Sequence, residues 1–379
     1  MVSLASLAPE LLLLLADRLH NIEDYSALSS TCTYLRTTLQ SVTPNIILRL
    51  ANNQSRVFFR PSPEFLAAAT ARQLGEWARL DPANEAALAL AFQNGPAGML
   101  DLALLHCGLT MSRIRQLHAL RFSVINPVTD IIDQCVGQQW YSTPDFWYGG
   151  VDDAYTIDAD PNSTFFHLAI YGELFAPDLA AYLDGDATHR ALSVETRLEY
   201  IKYCVPDFAC ELQGRINPRD ARLPNGELDP RRDVKPVGPY TRDEKNIGYL
   251  DPPKDNNIAL VWVLRSTRWR PHWRSLRQRA AEDFQDGFED EWWLDGGEGR
   301  DWRQRLWENT MVCQGLEGLG MIRPEMQDGW LERIRAWKAK IAALDRTPGE
   351  IKVGRHTTYD YPFLLGDLRI CASGFVGGS

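Results

Sequence analysis

Cysteine and histidine are the residue types here most able to hold a metal or act as a nucleophile, and their spacing favours neither. The cysteines fall at 32, 107, 135, 204, 210, 313 and 371, with no C-x-x-C pair. That pattern reads as reduced thiols, not as a zinc site or a disulfide framework. The histidines (20, 106, 118, 167, 189, 272 and 356) never stand at H-x-x-x-H spacing. His106 and Cys107 are adjacent, so on a helix they diverge and cannot share an ion. No nucleophile elbow, H-E-x-x-H or kinase motif set is present. The acidic pairs Asp152-Asp153 and Glu282-Asp283 have no partner pattern for acid–base work. Glycines 296, 297 and 299 lack the strand, Lys and Ser/Thr of a phosphate loop. The expectation is a non-catalytic chain without metal or cofactor.

Charge narrows the partners. The net charge is −10 and the pI about 5.3, which argues against nucleic acid, since phosphate contacts need concentrated Lys and Arg. One stretch runs the other way: Arg265, Arg268, Arg270, Arg274, Arg277 and Arg279 with Trp269 and Trp273. Planar groups of this kind can stack on single-stranded bases. Residues 282–301 follow with nine Asp or Glu, so the favoured reading is a basic helix face neutralised within the protein.

The elements that would position any site are mostly helices. Ser62-Pro63, Asp81-Pro82 and Asn126-Pro127 each place a capping side chain before a proline, and Thr110 and Ser193 are further caps. These predict helices near 63–80, 82–94, 97–106, 111–121, 127–138 and 193–204. A last helix is expected over 324–345, with Met326, Trp330, Ile334, Trp337, Ile341 and Leu344 on one face. Alternating strand patterns are scarce, so the fold class is mainly α. Residues 164–169 with Gly172, Leu183 and Gly185 are similar to an ankyrin unit, and 86–91 with Gly95 and Gly108 match it more weakly. The two starts lie 78 apart, not at the repeat's spacing of about 33, and an irregular helical body is the preferred alternative.

Aromatic residues crowd one region, including Trp140, Trp147, Tyr148, Phe165, Phe166, Tyr171 and Phe175. Most such rings plug a core. Trp140, Trp147 and Tyr148 beside Asp152 and Asp153 are nevertheless the leading place for a target protein to dock. From 213 to 257 seven prolines fall among many charges, which predicts a connector or long loop.

The N-terminus carries the strongest pattern. Leu7, Pro9 and Glu10 lead into five leucines at 11–15, then Leu19, Asp24, Leu28, Cys32, Leu35 and Leu39. The run has no preceding basic residue and is split by Pro9-Glu10, unlike a secretory signal, and it is too short for a membrane span. A soluble chain of the cytoplasm or nucleus is expected. Five consecutive leucines cover the whole circumference of a helix, so one face packs internally and another must be covered from elsewhere.

This stretch resembles the F-box in its fungal form, with Ala8 inside the Leu-Pro start and Tyr34 where many members carry Trp. The resemblance covers about the first tenth of the chain. It implies a three-helix module binding a Skp-type adaptor, and through it a cullin, by way of Leu7, Pro9, Leu11, Leu12, Leu14, Leu15, Leu28, Cys32 and Leu35. The chain would tether an unknown target protein near a ubiquitin-conjugating enzyme, raising effective concentration without doing chemistry. The organisation expected is an F-box at 1–45, a helical body at 46–212, the connector at 213–257 and a helical region at 258–379. The competing reading is a helical or ankyrin-like scaffold whose N-terminal helices only cap its own core.

Overall fold

In the computed structural model the residues described are 4–53, 63–136, 161–204, 270–280, 314–344, 350–353 and 357–360, with 284, 303, 307, 310 and 311 singly. Among them the protein is mainly α-helical. The connector expected at 213–257 lies outside them.

Three short helices come first: α1 (Pro9–Ala16), α2 (Ile22–Ser30) and α3 (Thr33–Leu39). Pro9 opens α1 at the position where a missing N–H costs nothing. Asn21 caps α2, its Oδ1 accepting the Asp24 N–H at 2.7 Å. Helix α4 (Pro44–Asn53) packs on α2 and also on the body. The Leu109 N–H donates to the Pro44 carbonyl at 3.0 Å. A Cβ on Gly108 would run into Pro44, so only glycine lets the two chains pass this closely.

The body is built on α5 (Glu64–Leu80), against which α6 (Pro82–Phe92), α7 (Gly95–His106) and α10 (Pro161–Asp184) all lie. Ala67, Ala68, Ala71 and Ala78 are buried along α5 and keep it slim enough for such close neighbours. Phe65 meets Phe166 edge-to-face at 5.9 Å. Helix α11 (Val194–Cys204) closes over α6, bringing Tyr200 onto Phe92 at 5.4 Å. The predicted caps act as expected at three helices. Asp81 accepts from Ala83 N at 2.7 Å, Thr110 from Arg113 N at 3.1 Å and Ser193 from Thr196 N at 3.1 Å.

Elsewhere local signals are overridden. Asn126-Pro127 does stand at the start of a helix, but Asn126 is already helical there and follows directly from the helix before it. Helix α8 (Met111–Leu120) passes through one wide turn, Arg121–Ile125, directly into α9 (Asn126–Val136). Pro127 cannot donate to the Ser123 carbonyl four residues back, and the Arg323 guanidinium donates there instead. The ankyrin-like segment is one uninterrupted helix, α10, with Gly172 and Pro177 both inside it. The missing turn removes the match. Next to Pro177 in α10, Arg79 Nη2 donates to the Leu174 carbonyl at 2.7 Å, tying this turn of the helix to α5.

Of the C-terminal region, α12 (Arg270–Ala280) is capped by Arg335, which donates to the Ala280 and Arg279 carbonyls at 2.9 and 2.7 Å. Arg279 pairs with Asp328. A short helix α13 (Gly315–Gly318) follows. The single helix expected over 324–345 is instead a 3₁₀ stretch, Pro324–Trp330, then α14 (Leu331–Ala342). Gly329 is a poor helix former at that junction. Ile334 and Ile341 of the expected face are buried. Within the segment expected to be helical, Glu350–Val353 and Thr357–Asp360 form an antiparallel pair with Glu350 opposite Asp360. Ile351, Val353, Thr357 and Tyr359 suit such a ribbon.

Candidate partner-docking surface

The leucine run divides once α1 is placed. Leu12 and Ala16, one turn apart, are fully buried and meet the side of the module formed by Leu35 and Leu39. Leu11 and Leu14 face outward, 52% and 65% exposed, and Leu4 just before the helix is 46% exposed. Leu7, Leu15, Leu28 and Cys32 are half-buried, and Pro9 is exposed. Tyr34 holds this edge in place: its hydroxyl donates to the Leu7 carbonyl at 2.8 Å. Within the module, Tyr25 donates to the Leu39 carbonyl, and burial pushes its hydroxyl pKa up against the opposing charge of Arg115.

Two of the residues expected to touch a partner are buried inside the module. Leu12 and Leu35 are 0% and 2% exposed and hold the helices together. Leu7, Pro9, Leu11, Leu14, Leu15, Leu28 and Cys32, with Leu4 and Tyr34, keep surface to offer. Sequence alone left open which leucines turn outward. That depends on the rotation of α1 about its axis, which its packing on α3 fixes.

The other expected docking residues, Trp140, Trp147, Tyr148, Asp152 and Asp153, lie outside the described residues. Phe165, Phe166, Tyr171 and Phe175 from the same aromatic stretch are buried. They belong to the core.

A second polar constellation joins α5, α6, α10 and α11. Asp178, whose side chain is fully buried, accepts from Arg79 Nε and His189 Nε2, both at 2.7 Å, and from Leu192 N at 3.2 Å. His189 must carry its proton on Nε2 to donate there. Beside it, Glu85 accepts from Ser193 N at 2.7 Å and the Thr196 hydroxyl at 2.8 Å, and pairs with Arg190. A His–Asp pair can orient a general base, but Asp178 is already neutralised by Arg79, so its chemistry here is to pin the segment before α11. These partners lie up to 111 residues apart, and no sequence spacing announced them. Among the described residues, no group of three or more His, Cys, Asp or Glu stands where it could hold a metal ion. Nor is any described helix long and apolar enough to cross a membrane.

Compared with protein-family models, curated proteins and solved structures, the chain finds no match.

Proposed function

We propose that this chain is an F-box substrate adaptor, docking a Skp-type protein through the outer face of α1 and presenting a target on its helical body. The observation that carries the reading is the outward placement of Leu11 and Leu14 on a helix whose Leu12 and Ala16 are buried. Together with the Leu7–Leu39 pattern, that supports an apolar surface kept for a partner. The role is non-catalytic, with no cofactor, nucleic acid or membrane involved, and belongs to the cytoplasm or nucleus. A cullin is reached only through the adaptor, and the target is a protein of unassigned identity.

The competing reading, helices that merely cap the chain's own core, accounts for Leu12, Leu35 and Leu39. It gives no role to Leu11 and Leu14. Titration calorimetry with a purified Skp-type adaptor separates the two. Saturable 1:1 binding that is lost in a Leu11→Glu/Leu14→Glu variant is expected. No binding by the unaltered chain would sink the proposal.

A further inference from the structure

Helix α8 and the wide turn after it carry a face used neither by the core nor by α1. From Leu102 to Thr129 the chain has no Asp or Glu, yet it holds Arg113, Arg115 and Arg121. In a protein of net charge −10 that is a local surplus of positive charge. Arg115, Ala119 and Phe122 follow one another at helical spacing, and all three are exposed. Phe122 is 61% exposed, the only exposed phenylalanine among the described residues. His118 lies edge-to-face against it with ring centroids 5.2 Å apart, and so braces the ring. Phe122 stands in the turn Arg121–Ile125, and wide turns of this kind recur at functional sites. The carboxylates at the margins of the face are already engaged. Glu317 accepts from Gln116 at 3.0 Å and faces Arg113 at 3.6 Å. Glu325 lies 3.5 Å from Arg323, whose guanidinium donates to the Ser123 carbonyl. Arg115 has no ion pair among the described residues, and the hydroxyl of Tyr25, which feels its charge, is neutral.

We infer that this face holds an extended acidic segment of a partner protein, with a carboxylate on Arg115, an apolar side chain on Phe122 and the backbone passing over Ala119. Charge selects the occupant: a purely apolar partner would leave the Arg115 guanidinium unanswered, and a basic one would be repelled by it. Spacing narrows it further. Seven residues of helix rise about 10 Å, a span that an extended chain covers in about three residues. The face therefore reads an Asp or Glu about three residues from a large apolar one. Arginine and aromatic rings are the side chains on which interface energy concentrates. A nucleic acid fits less well, because phosphates need several open cations in a row. Arg113 and Arg121 are half-buried, and the chain as a whole repels a polyanion. Under the adaptor reading this is where a target would sit. The face is on a different helix from α1, however, and its binding is measured with no adaptor present, so either idea can fail alone.

The test is selection of a random-sequence peptide library on the full chain, followed by fluorescence anisotropy with the recovered peptides. Enrichment of Asp or Glu about three residues from a large apolar side chain is expected, with affinity that falls as salt is raised. Arg115→Gln and Phe122→Ala should each weaken binding by about tenfold. Both substitutions are at exposed positions, so an unchanged thermal midpoint shows that the variants are folded. No enrichment, or enrichment of peptides without a carboxylate, would overturn the inference. Undiminished binding of the recovered peptides by both folded variants would overturn it equally, by placing their site elsewhere. A single-stranded oligonucleotide that binds more tightly than the peptides, and loses its affinity in the same variants, would give the face to nucleic acid instead.

Discussion

The carboxylate of Glu173 accepts the backbone N–H of Leu316 at 3.0 Å, across 143 residues of chain. Its other oxygen takes Arg72 Nε at 2.8 Å. One side chain in the middle of α10 thus joins α5 to the start of α13. Gly315 makes this possible. It adopts φ +81°, and a Cβ there would overlap the Glu173 carboxylate. Gly315→Ala is therefore expected to cost about 1–3 kcal/mol from backbone strain alone, with the displaced carboxylate adding to it. Chemical denaturation should show the loss, and a neutral result would mean that Glu173 is free to swing away.

Leucine substitutions in α1 should split into two classes. Leu12→Ala, at a fully buried site, is expected to cost about 2–5 kcal/mol of stability. Leu14→Ala, at an exposed site, should leave the stability within about 0.5 kcal/mol of the parent while weakening adaptor binding by about 2 kcal/mol. Similar melts for the two variants would show that α1 is rotated differently on α3.

Two glutamates should respond to acid in opposite senses. Burial alone would raise the Glu85 carboxyl, but the Ser193 N–H, the Thr196 and Ser193 hydroxyls and Arg190 outweigh it and hold it below its ordinary 4.5. Its stabilising contribution is present above that ordinary value and disappears as the pH falls through the lower folded one. Glu85→Gln should lower stability at neutral pH and flatten the acid limb of the stability curve. Glu23 is raised instead, by burial first and then by Asp24, with its own backbone hydrogen bond opposing. Its ionised form opposes folding above the folded pKa, so Glu23→Gln should gain stability at neutral pH, and the gain should vanish in acid. Urea melts over a pH series would check both signs.

Thiol reactivity should be graded by burial. Cys107 is pushed up to about 12, by burial first and then by Glu76, and burial also raises Cys204 well above its ordinary value. A thiolate is the reactive form, so both should resist alkylation in the folded protein, whereas half-buried Cys32 should label. Peptide mapping after timed iodoacetamide treatment gives the order directly. Rapid labelling of Cys204 in folded protein would contradict the packing of α11 on α6.

Where a signal is local, the sequence declared it. Asp81, Thr110 and Ser193 each satisfy an N–H two or three residues away, and those helix starts were legible. The features that misled or stayed hidden depended on distant atoms. Asn126-Pro127 does open α9, but its direct continuation from α8 through Arg121–Ile125, with Arg323 at the Ser123 carbonyl, was not legible. Gly172 reads as part of an ankyrin-like turn until α10 is seen to run through it, packed along α5. The candidate surface follows the same division. A leucine-rich first helix was evident, but the separation of Leu11 and Leu14 from Leu12 and Ala16 needed the position of α3. Nothing near Asp178 in the chain pointed to Arg79.

The seam at Gly108 and Pro44 bears on how force and orientation pass through the molecule. Helix α4 is held on one side by α2 and on the other by α7 of the body, with Leu109 bonded to the Pro44 carbonyl. Contacts on both sides make α4 a candidate splint more than a hinge, and a splint would be expected to hold the first helices at one angle to the body. A flexible tether would let a captured partner sweep a volume; a splint allows one bearing. Whatever grips α1 thereby aims the whole body, and a protein held on that body would arrive at a fixed distance and angle.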